Sequence, residues 1–521
     1  MDAADLAIFR LQLEGIAERM QEALSHAAFS AIAREGQDCA AALFLADGRL
    51  LAQARALPLL LGCLVPAVRG ILDTFPVEGM REGDAYLLND PWSGGTHLPD
   101  LTVVRPVMHE GRVVALTATI LHHQDVGGMA PGSVPPDATD IWQEGLRLVP
   151  LQWRRDGEPL PSIQSLLLAN TRTPHAMAGD LESQWSACSR GGRELAEIVA
   201  TLGAAGFAEA SGRLLAEGEA LTRAALRRAK DGDYVARDAL DGDGIDGRPL
   251  PVVVTLRKRG DALTIDFEGT SPQSRGPVNA APAALSAAAF YLLRTLAPEA
   301  PSNHGCLAPL TLRLPEGSLV HPRPGAALNA RTATVKLACN ALLAAWAEAD
   351  PDGAPAPNSA VVVVLSIGGE DASGTPFVFT EVIAGGAGAH PEGEGAPGCA
   401  TDVGNGRNMP AEMLEAAAPI LLERYEVRAG SGGDGQHRGG AGVRRVYYLR
   451  EGRAMVSYRS ERHESRAPGA RGGGAGAPAS AQCRRADGSV IDLPSKARFE
   501  WRAGDRLVIE TPGGGGWGTE S

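Results

Sequence analysis

The stretch LTVVRPVMHEGRVVALTATILHH, residues 101–123, contains two β-branched apolar runs separated by a turn signal. Runs of this composition predict strands, and His109-Glu110-Gly111 between them predicts a tight turn and an antiparallel hairpin. If the turn centres near residue 110 or 111, residue 101 lies opposite about residue 120. The hairpin therefore predicts a β-rich region in the first part of the chain and determines which residues meet at its open end.

Metal-capable side chains lie at that open end. The loop NDPWSGGTHLPD, residues 89–100, brings His97 and Asp100 to the start of the first strand, and His122-His123 closes the second. Neighbouring strands are roughly 4.8 Å apart, so pairing alone brings these side chains close together. Imidazole with carboxylate and no thiolate suits zinc, manganese or iron(II), with positions left open for water or substrate. The alternative is that the histidines only form hydrogen bonds to loop backbone, and the spacing leaves both interpretations open.

The rest of the chain predicts a mixed α+β, multi-domain protein with antiparallel sheets and helical layers. At 521 residues it exceeds the length that one hydrophobic core normally serves. Apolar residues at helical spacing predict a long amphipathic helix over residues 3–34, which one break could interrupt, and a helical pattern recurs over 161–230. Asp47-Gly48 and Arg259-Gly260-Asp261 each predict a hairpin turn. Four regions follow: residues 1–160 with the helix and the β-rich candidate site, 161–240 helical, 241–383 mixed, and 384–521 glycine-rich with strands.

The glycine clusters after residue 384 have two other interpretations. A disordered tail is disfavoured because VRRVYYLREGRAMVSYRS and RFEWRAGDRLVIETP, which lie between the clusters, are typical strand sequences. A nucleotide-binding loop would need GxxxxGK[ST], which the sequence lacks. Ordered glycine-rich turns between strands are therefore expected.

Composition excludes several classes of function. A net charge of −13 disfavours nucleic acid, since binding to its phosphates depends on basic patches. No run approaches the roughly 20 apolar residues that span a bilayer, and the first residues do not resemble a signal peptide, so no membrane partner and a cytoplasmic location are expected. The seven scattered cysteines contain no CxxC pair, and no GxSxG motif marks a catalytic serine.

Seven blocks in order resemble the hydantoinase B/5-oxoprolinase family. The signature block is NDPWSGGTHLPD followed by LHHQDVGGMAPGSVPPDATDIWQEGLRLVPL, residues 121–151. The other six are AERMQEALSHAAFSAIAREGQDCAAALFLADGRLLAQ, LLANTRTPHAMAGDLESQ, DFEGTSPQSRGPVNAAPAA, NARTATVK, ERYEVRAGSGGDGQHRGGAG and TPGGGGWG. The resemblance thus covers nearly the whole chain.

The resemblance implies a metal-bearing subunit that works with a hydantoinase A-type partner holding the ATP site. Members open cyclic amides such as 5-oxoproline, hydantoins and lactams, or carboxylate ketones such as acetone. The family's metal ligands fall on Asp38, His97, Asp100 and His122 of this sequence. The cofactors expected on this basis are a divalent metal (zinc or manganese, or else iron) and ATP bound by the partner.

Adjacent residues of a strand point to opposite faces, so only one of His122 and His123 can face the candidate metal site. The resemblance selects His122. His123 is then either a general base beside the site or a packed histidine, and Asp125 could orient a ligating imidazole or, with His123, handle a proton. Four residues of the family blocks could bind an anionic intermediate or hold loops together by hydrogen bonds: Arg275, Asn279, Asn329 and Arg331.

The sequence departs from the family pattern at three positions. Ala56 and Leu60 stand where relatives carry histidines, and Ala40 replaces a serine. If the polar groups at these positions touch substrate in relatives, the changes predict a more apolar pocket, a different substrate or weakened activity. The expected function is ATP-dependent ring opening of a cyclic amide. The alternatives are a subunit of a ketone carboxylase and a non-catalytic partner subunit.

Overall fold

The computed structural model describes residues 2–351 and 353–520. Within these residues the fold is mixed α+β with several antiparallel sheets, as predicted. The helices are α1 Ala3–Ala27, α2 Ala31–Arg34, α3 Pro58–Thr74, α4 Pro161–Ala169, α5 Pro174–Leu226, α6 Pro282–Leu296, α7 Arg331–Ala349 and α8 Ala411–Ala417.

The first sheet has seven antiparallel strands in the order β2-β1-β5-β4-β3-β6-β7. Its strands are β1 Cys39–Leu45, β2 Leu50–Gln53, β3 Ala85–Leu88, β4 Asp100–His109, β5 Arg112–His122, β6 Leu151–Arg155 and β7 Glu158–Pro159. Alternate residues face opposite layers: Leu43 packs in the core with α1 and α5, whereas Phe44 packs in the core with α3 and α6. Helices therefore cover both faces of the sheet, which leaves its strand ends as the accessible edges.

The predicted helix over residues 3–34 is broken between Ala27 and Ala31. The backbone N–H groups of Phe29 and Ser30 both donate to the carboxylate of Asp180 on α5, at 2.7 and 3.1 Å. Because these donors are committed to α5, the chain turns there and leads into β1. This turn places Asp38 beside the end of β5, where the Asp38 carbonyl accepts the His122 N–H at 3.0 Å.

A second sheet follows, in the order β11-β10-β9-β8, with β10 and β11 parallel. Its strands are β8 Gly232–Leu240, β9 Leu250–Arg259, β10 Ala262–Asp266 and β11 Leu310–Arg313. Val254, Leu256 and Ile265 share one core with α6 and α7. This packing holds the first turn of α7, which begins at Arg331, near the open end of the β4–β5 hairpin.

The C-terminal part contains two antiparallel sheets that share one hydrophobic core. The third sheet has the order β13-β12-β16-β19, with β12 Val362–Glu370, β13 Pro376–Ala384, β16 Arg453–Arg459 and β19 Lys496–Arg502. The fourth has the order β14-β15-β20-β17-β18, with β14 Ile420–Val427, β15 Val443–Leu449, β17 Ser480–Arg484, β18 Val490–Asp492 and β20 Arg506–Glu510.

The glycine clusters are ordered, and they pack against one another as well as joining strands. A β-carbon on Gly386 would lie 1.8 Å from the Gly440 carbonyl oxygen, and one on Gly514 would lie 2.0 Å from the Ala387 carbonyl oxygen. Backbone hydrogen bonds connect the same segments, including Gly514 N–H to the Gly440 carbonyl at 2.9 Å. Only glycine permits backbones to approach this closely.

Among the described residues, no helix combines the length and hydrophobicity required to cross a lipid bilayer. The four-region division at residues 160, 240 and 383 stays a prediction. Strands β1–β7 all lie within residues 39–159, and the third and fourth sheets lie within 362–510.

Candidate metal centre

The β4–β5 hairpin brings Asp100 and His122 directly opposite each other. The predicted turn is present, with left-handed backbone at Glu110 and Gly111. The predicted pairing of residue 101 with about residue 120 is off by one, because a bulge between Val107 and Met108 shifts the register so that Leu101 pairs with Leu121. Opposed residues of an antiparallel pair share a face, so the side chains of Asp100 and His122 meet.

Three ligand-capable atoms converge at this hairpin end. His97 Nε2 lies 2.9 Å from Asp100 Oδ1 and 3.1 Å from His122 Nδ1, and His122 Nδ1 lies 3.0 Å from the same Oδ1. Three lone-pair atoms at these separations repel one another unless protons or a cation lie between them. Ligands at right angles around an ion, each about 2.1 Å from it, would be about 3.0 Å apart. The donor set therefore fits a divalent metal held by two imidazoles and one carboxylate.

Asp100 is held in its ionised form. Burial opposes its charge, but the neighbouring His97 and Arg331 outweigh burial and hold the Asp100 pKa well below its usual range. Arg331 Nη2 donates to Asp100 Oδ2 at 2.6 Å, and the Thr96 hydroxyl donates to the same oxygen. These two donors occupy Oδ2 and leave Oδ1 directed at both histidines.

His97 is oriented by the backbone of a distant segment. With its proton on Nδ1, it donates to the Asn329 carbonyl at 3.2 Å and directs the Nε2 lone pair into the cluster. Arg331 Nη1 lies 3.1 Å from the same Nδ1 and could donate to it only in the other tautomer, with the ring proton on Nε2. Burial, reinforced by Arg331, lowers the His97 pKa to about 3, so the ring is neutral, as a metal ligand must be.

A buried carboxylate holds the Asn329 segment. Glu144 Oε1 accepts the backbone N–H groups of Leu328 and Asn329 at 2.8 and 2.9 Å and the Asn329 side-chain amide at 2.8 Å. Burial raises the Glu144 pKa to about 8 despite these bonds. Glu144 was not singled out from the sequence, although it lies in the signature block.

The cluster opens into a cavity of about 100 Å³ between the first and third sheets and α7. Most of the lining is apolar, including Val361, Val364, Val382, Leu57 and Leu59. The polar lining includes the residues Asp38, His97, His122, Arg331, Lys336 and Arg459. Such a cavity suits a small molecule with an apolar body and polar groups directed at the histidines and the neighbouring charged side chains.

Asp38 borders the cavity but lies outside the group of three whose ligand atoms are all within 4.8 Å of one another. Burial raises its pKa, an effect that the nearby His122 opposes. The structure thus places Asp38 beside His122, joined to it through the backbone, with its carboxylate apart from the tight cluster.

His123 and Asp125 are directed away from the cavity. His123 Nε2 contacts Gln184 Oε1 of α5 at 3.1 Å, on the opposite face from His122. Asp125 accepts hydrogen bonds from the backbone N–H groups of Gly127, Gly132 and Arg172 and pairs with the Arg172 guanidinium at 2.9 Å. These contacts are those of a packed histidine and a loop-organising carboxylate.

The four residues considered for anion binding lie in different environments in the structure. Arg275 is exposed, and the Asn279 amide donates to the carbonyls of Ser274, Gly276 and Ala327, which holds that loop together. Arg331 lines the cavity, and Asn329 contacts the cluster through its carbonyl.

The three departures from the family pattern do not line the cavity. Ala40, Ala56 and Leu60 are buried together in the apolar core between the first sheet, α3 and α6. The cluster of His97, Asp100 and His122 is intact beside them.

Comparison with known proteins identifies the family of this chain. The family model described as hydantoinase B/oxoprolinase matches residues 2–520. The chain belongs to the hydantoinase B/oxoprolinase family. The predicted resemblance is therefore confirmed. Hydantoinase B/oxoprolinase relatives include 5-oxoprolinase 1 of Arabidopsis thaliana, which is 32% identical, with 99% of this chain and 42% of the relative covered.

The chain thus spans about two fifths of that plant relative's length. It spans 88% of the B-type subunit of a putative D-/L-hydantoinase from Pseudomonas sp. strain NS671, which is 29% identical over 97% of this chain. The ATP-dependent caprolactamase of Pseudomonas jessenii has the same fold, with a TM-score of 0.93, 27% identity, and coverage of 100% of this chain and 91% of that one. A nucleotide-free acetone carboxylase structure matches with a TM-score of 0.89 at 18% identity, over 98% of this chain and 75% of that one, a likeness of fold alone.

Proposed function

We propose that this chain is the metal-binding subunit of an ATP-dependent amidohydrolase that opens a cyclic amide such as a hydantoin, 5-oxoproline or a lactam. The observation that carries the proposal is the convergence of His97, Asp100 and His122 at the wall of a largely apolar cavity. The family and the caprolactamase likeness support the same class of reaction.

Each group of residues around the cavity has its own proposed role. His97, Asp100 and His122 would hold a divalent metal (zinc or manganese, or else iron), which supplies Lewis-acid activation of a carbonyl or of water when bound. Arg331 and Thr96 keep Asp100 ionised and aimed at that position. The apolar wall of Val361, Val364 and Val382 excludes bulk water, which strengthens electrostatic interactions inside the cavity.

Asp38 is the proposed fourth ligand. Asp38 borders the same cavity as His97 and His122, and binding would require its carboxylate to move toward them. The proton-transfer roles predicted for His123 and Asp125 stay predictions. Their contacts favour supporting roles, because neither side chain lines the cavity.

ATP is proposed to bind to a separate hydantoinase A-type partner. The sequence has no GxxxxGK[ST] loop, and the Pseudomonas sp. relative is named as one subunit of its hydantoinase. In this scheme the partner activates the amide at the expense of ATP, and the ring is opened in the cavity of this chain. A cytoplasmic location, where ATP is available, is part of the proposal.

The test is an assay of the purified complex with its partner. ATP with 5-oxoproline, a hydantoin or caprolactam should give the ring-opened acid, and His97→Ala should abolish its formation. Turnover only with ATP, bicarbonate and a ketone would assign the chain to a carboxylase instead. No turnover in either assay, with no metal bound, would favour a non-catalytic partner subunit.

A further inference from the structure

The amino-terminal end of helix α7 borders the cavity close to the metal cluster. α7 is 19 residues long and its N-cap, Ala330, provides no side-chain cap. Among the described residues, no acceptor within hydrogen-bonding distance is present for the Thr332 N–H, and Thr332 lines the cavity. A helix start with uncapped N–H groups carries partial positive charge and favours an anion.

Arg459, from the end of β16, faces the same position. Its residue is 6% exposed, and it lines both the main cavity and a smaller one that also contains Ala330 and Thr332. Its Nη1 donates to the Asn329 side-chain carbonyl, whereas its buried Nε has no partner. Among the described residues, no carboxylate oxygen lies within 4.0 Å of this guanidinium.

The other basic side chains that line the cavity are already paired. Arg331 is bonded to Asp100 at 2.6 Å, and Lys336 lies 3.4 Å from Asp402. Glu144 is the carboxylate that acts on Arg459 through space. Its Oε1 is committed to Leu328 and Asn329, and its Oε2, which has no hydrogen-bond partner in the described part of the chain, lies beyond 4.0 Å of the guanidinium. Asp38 lies on the His122 side, and Glu461 of the smaller cavity is paired with Lys496.

Burying a guanidinium without a counter-ion is costly. Burial, together with the positive charge of Arg331, lowers the Arg459 pKa to about 9. An oxyanion between Arg459 and the start of α7 would supply the missing negative charge and the missing hydrogen-bond acceptor.

We propose that Arg459 and the first turn of α7 form an oxyanion subsite beside the metal cluster, which binds a phosphoryl or carboxylate group of the reacting molecule. The subsite lies within the cavity that His97 and His122 line, so an occupant would have its charged group on α7 and its reacting group toward the cluster. Assigning this anion to the reacting molecule rests on the proposed function, whereas anion binding does not.

The experiment is isothermal titration calorimetry of the full chain with inorganic phosphate and, separately, with acetate. Each titration is done on metal-loaded and on chelator-treated protein, because phosphate also binds metals. Arg459→Gln removes the charge but retains a donor for Asn329, and Arg459→Lys retains the charge. Arg453→Gln is the matched control, since Arg453 begins the same strand and is exposed outside the cavity.

Saturable binding is expected in wild-type protein with or without metal. Arg459→Gln should weaken it roughly 10- to 100-fold, the loss typical of one charge-assisted hydrogen bond. Arg459→Lys should weaken it less than Arg459→Gln does, and Arg453→Gln should bind as the wild type does. Tighter binding of phosphate than of acetate would assign the subsite to a phosphoryl group, and the reverse would assign it to a carboxylate.

The proposal is overturned if metal-free wild-type protein binds neither anion, or if folded Arg459→Gln binds both as tightly as the wild type. The wild-type measurement stands even if Arg459→Gln fails to fold. His97→Ala separates this subsite from the proposed function, since it should lose metal and turnover while still binding phosphate. If only metal binding is absent, the proposal of the oxyanion subsite still stands. If only anion binding is absent, the proposal of the metal site still stands.

Discussion

The adjacent residues His122 and His123 provide the sharpest test of the metal centre, because they lie on opposite faces of β5. His122 Nδ1 lies within 3.1 Å of both His97 Nε2 and Asp100 Oδ1, whereas His123 contacts Gln184 of α5. Each of the two alanine variants removes one imidazole, at adjacent positions of the chain. They should therefore separate the loss of a ligand from the loss of a packed side chain.

His122→Ala deletes one of the proposed metal ligands. Loss of groups that only support a ligand typically weakens metal binding 10- to 100-fold, so loss of the ligand itself should weaken it by more than about 100-fold and abolish turnover. His123→Ala should leave metal content unchanged. It removes a buried ring and leaves Gln184 Oε1 without that partner, which should lower the free energy of unfolding by about 2–4 kcal/mol.

The assay is metal content by elemental analysis after purification without chelator, alongside kcat and unfolding in denaturant, for both variants at one pH. Loss of metal from His123→Ala with retention in His122→Ala would mean that the register of β5 is shifted by one residue. The ligand assignment would then be wrong.

Four further predictions concern metal content, ATP binding and other parts of the molecule. Wild-type protein should purify with close to one equivalent of divalent metal per chain. The isolated chain should show no ATP binding by calorimetry, whereas its complex with the partner should bind ATP. Micromolar ATP binding to the chain alone would contradict the proposal that the partner holds the ATP site. Burial raises the Glu144 pKa to about 8. Between the ordinary carboxyl pKa and pH 8, the folded state therefore binds more protons than the unfolded state. The contribution of Glu144 to the free energy of unfolding accordingly falls as pH rises through that range. Glu144→Gln should flatten that decline in denaturant titrations at several pH values, and an unchanged profile would contradict the assignment. Gly514→Ala should destabilise the protein by about 1–3 kcal/mol or more because its β-carbon would overlap the Ala387 carbonyl, whereas Gly247→Ala, with no atom within 4 Å of the added carbon, should unfold at nearly the wild-type denaturant concentration.

Local patterns predicted most of the elements near the site. Composition and periodicity predict the β4–β5 hairpin, the turn at Glu110-Gly111 and a first helix that a break could interrupt, and the structure contains all three. The one-residue error in register came from the bulge between Val107 and Met108, for which Pro106 is the local sequence signal, because prolines inside strands occur mainly at edges and bulges. The glycine clusters were predicted to be ordered turns, but their close packing side by side depends on segments far apart in the chain.

The sequence alone was sufficient for the family, the fold class and the meeting of His97, Asp100 and His122, because a single hairpin brings these three together. The side chains that surround the cluster come from segments far away in the sequence, so only the tertiary structure shows which of them contact it. Asn329 and Arg331 reach it across more than 230 residues, and Arg459 reaches Asn329 from the C-terminal sheets across 130. Such contacts carry no periodic signal, since they depend on how α7 and the third sheet pack against the first sheet. That packing decides which charges around the cavity are paired and which side chains face away from it, as His123 and Asp125 do.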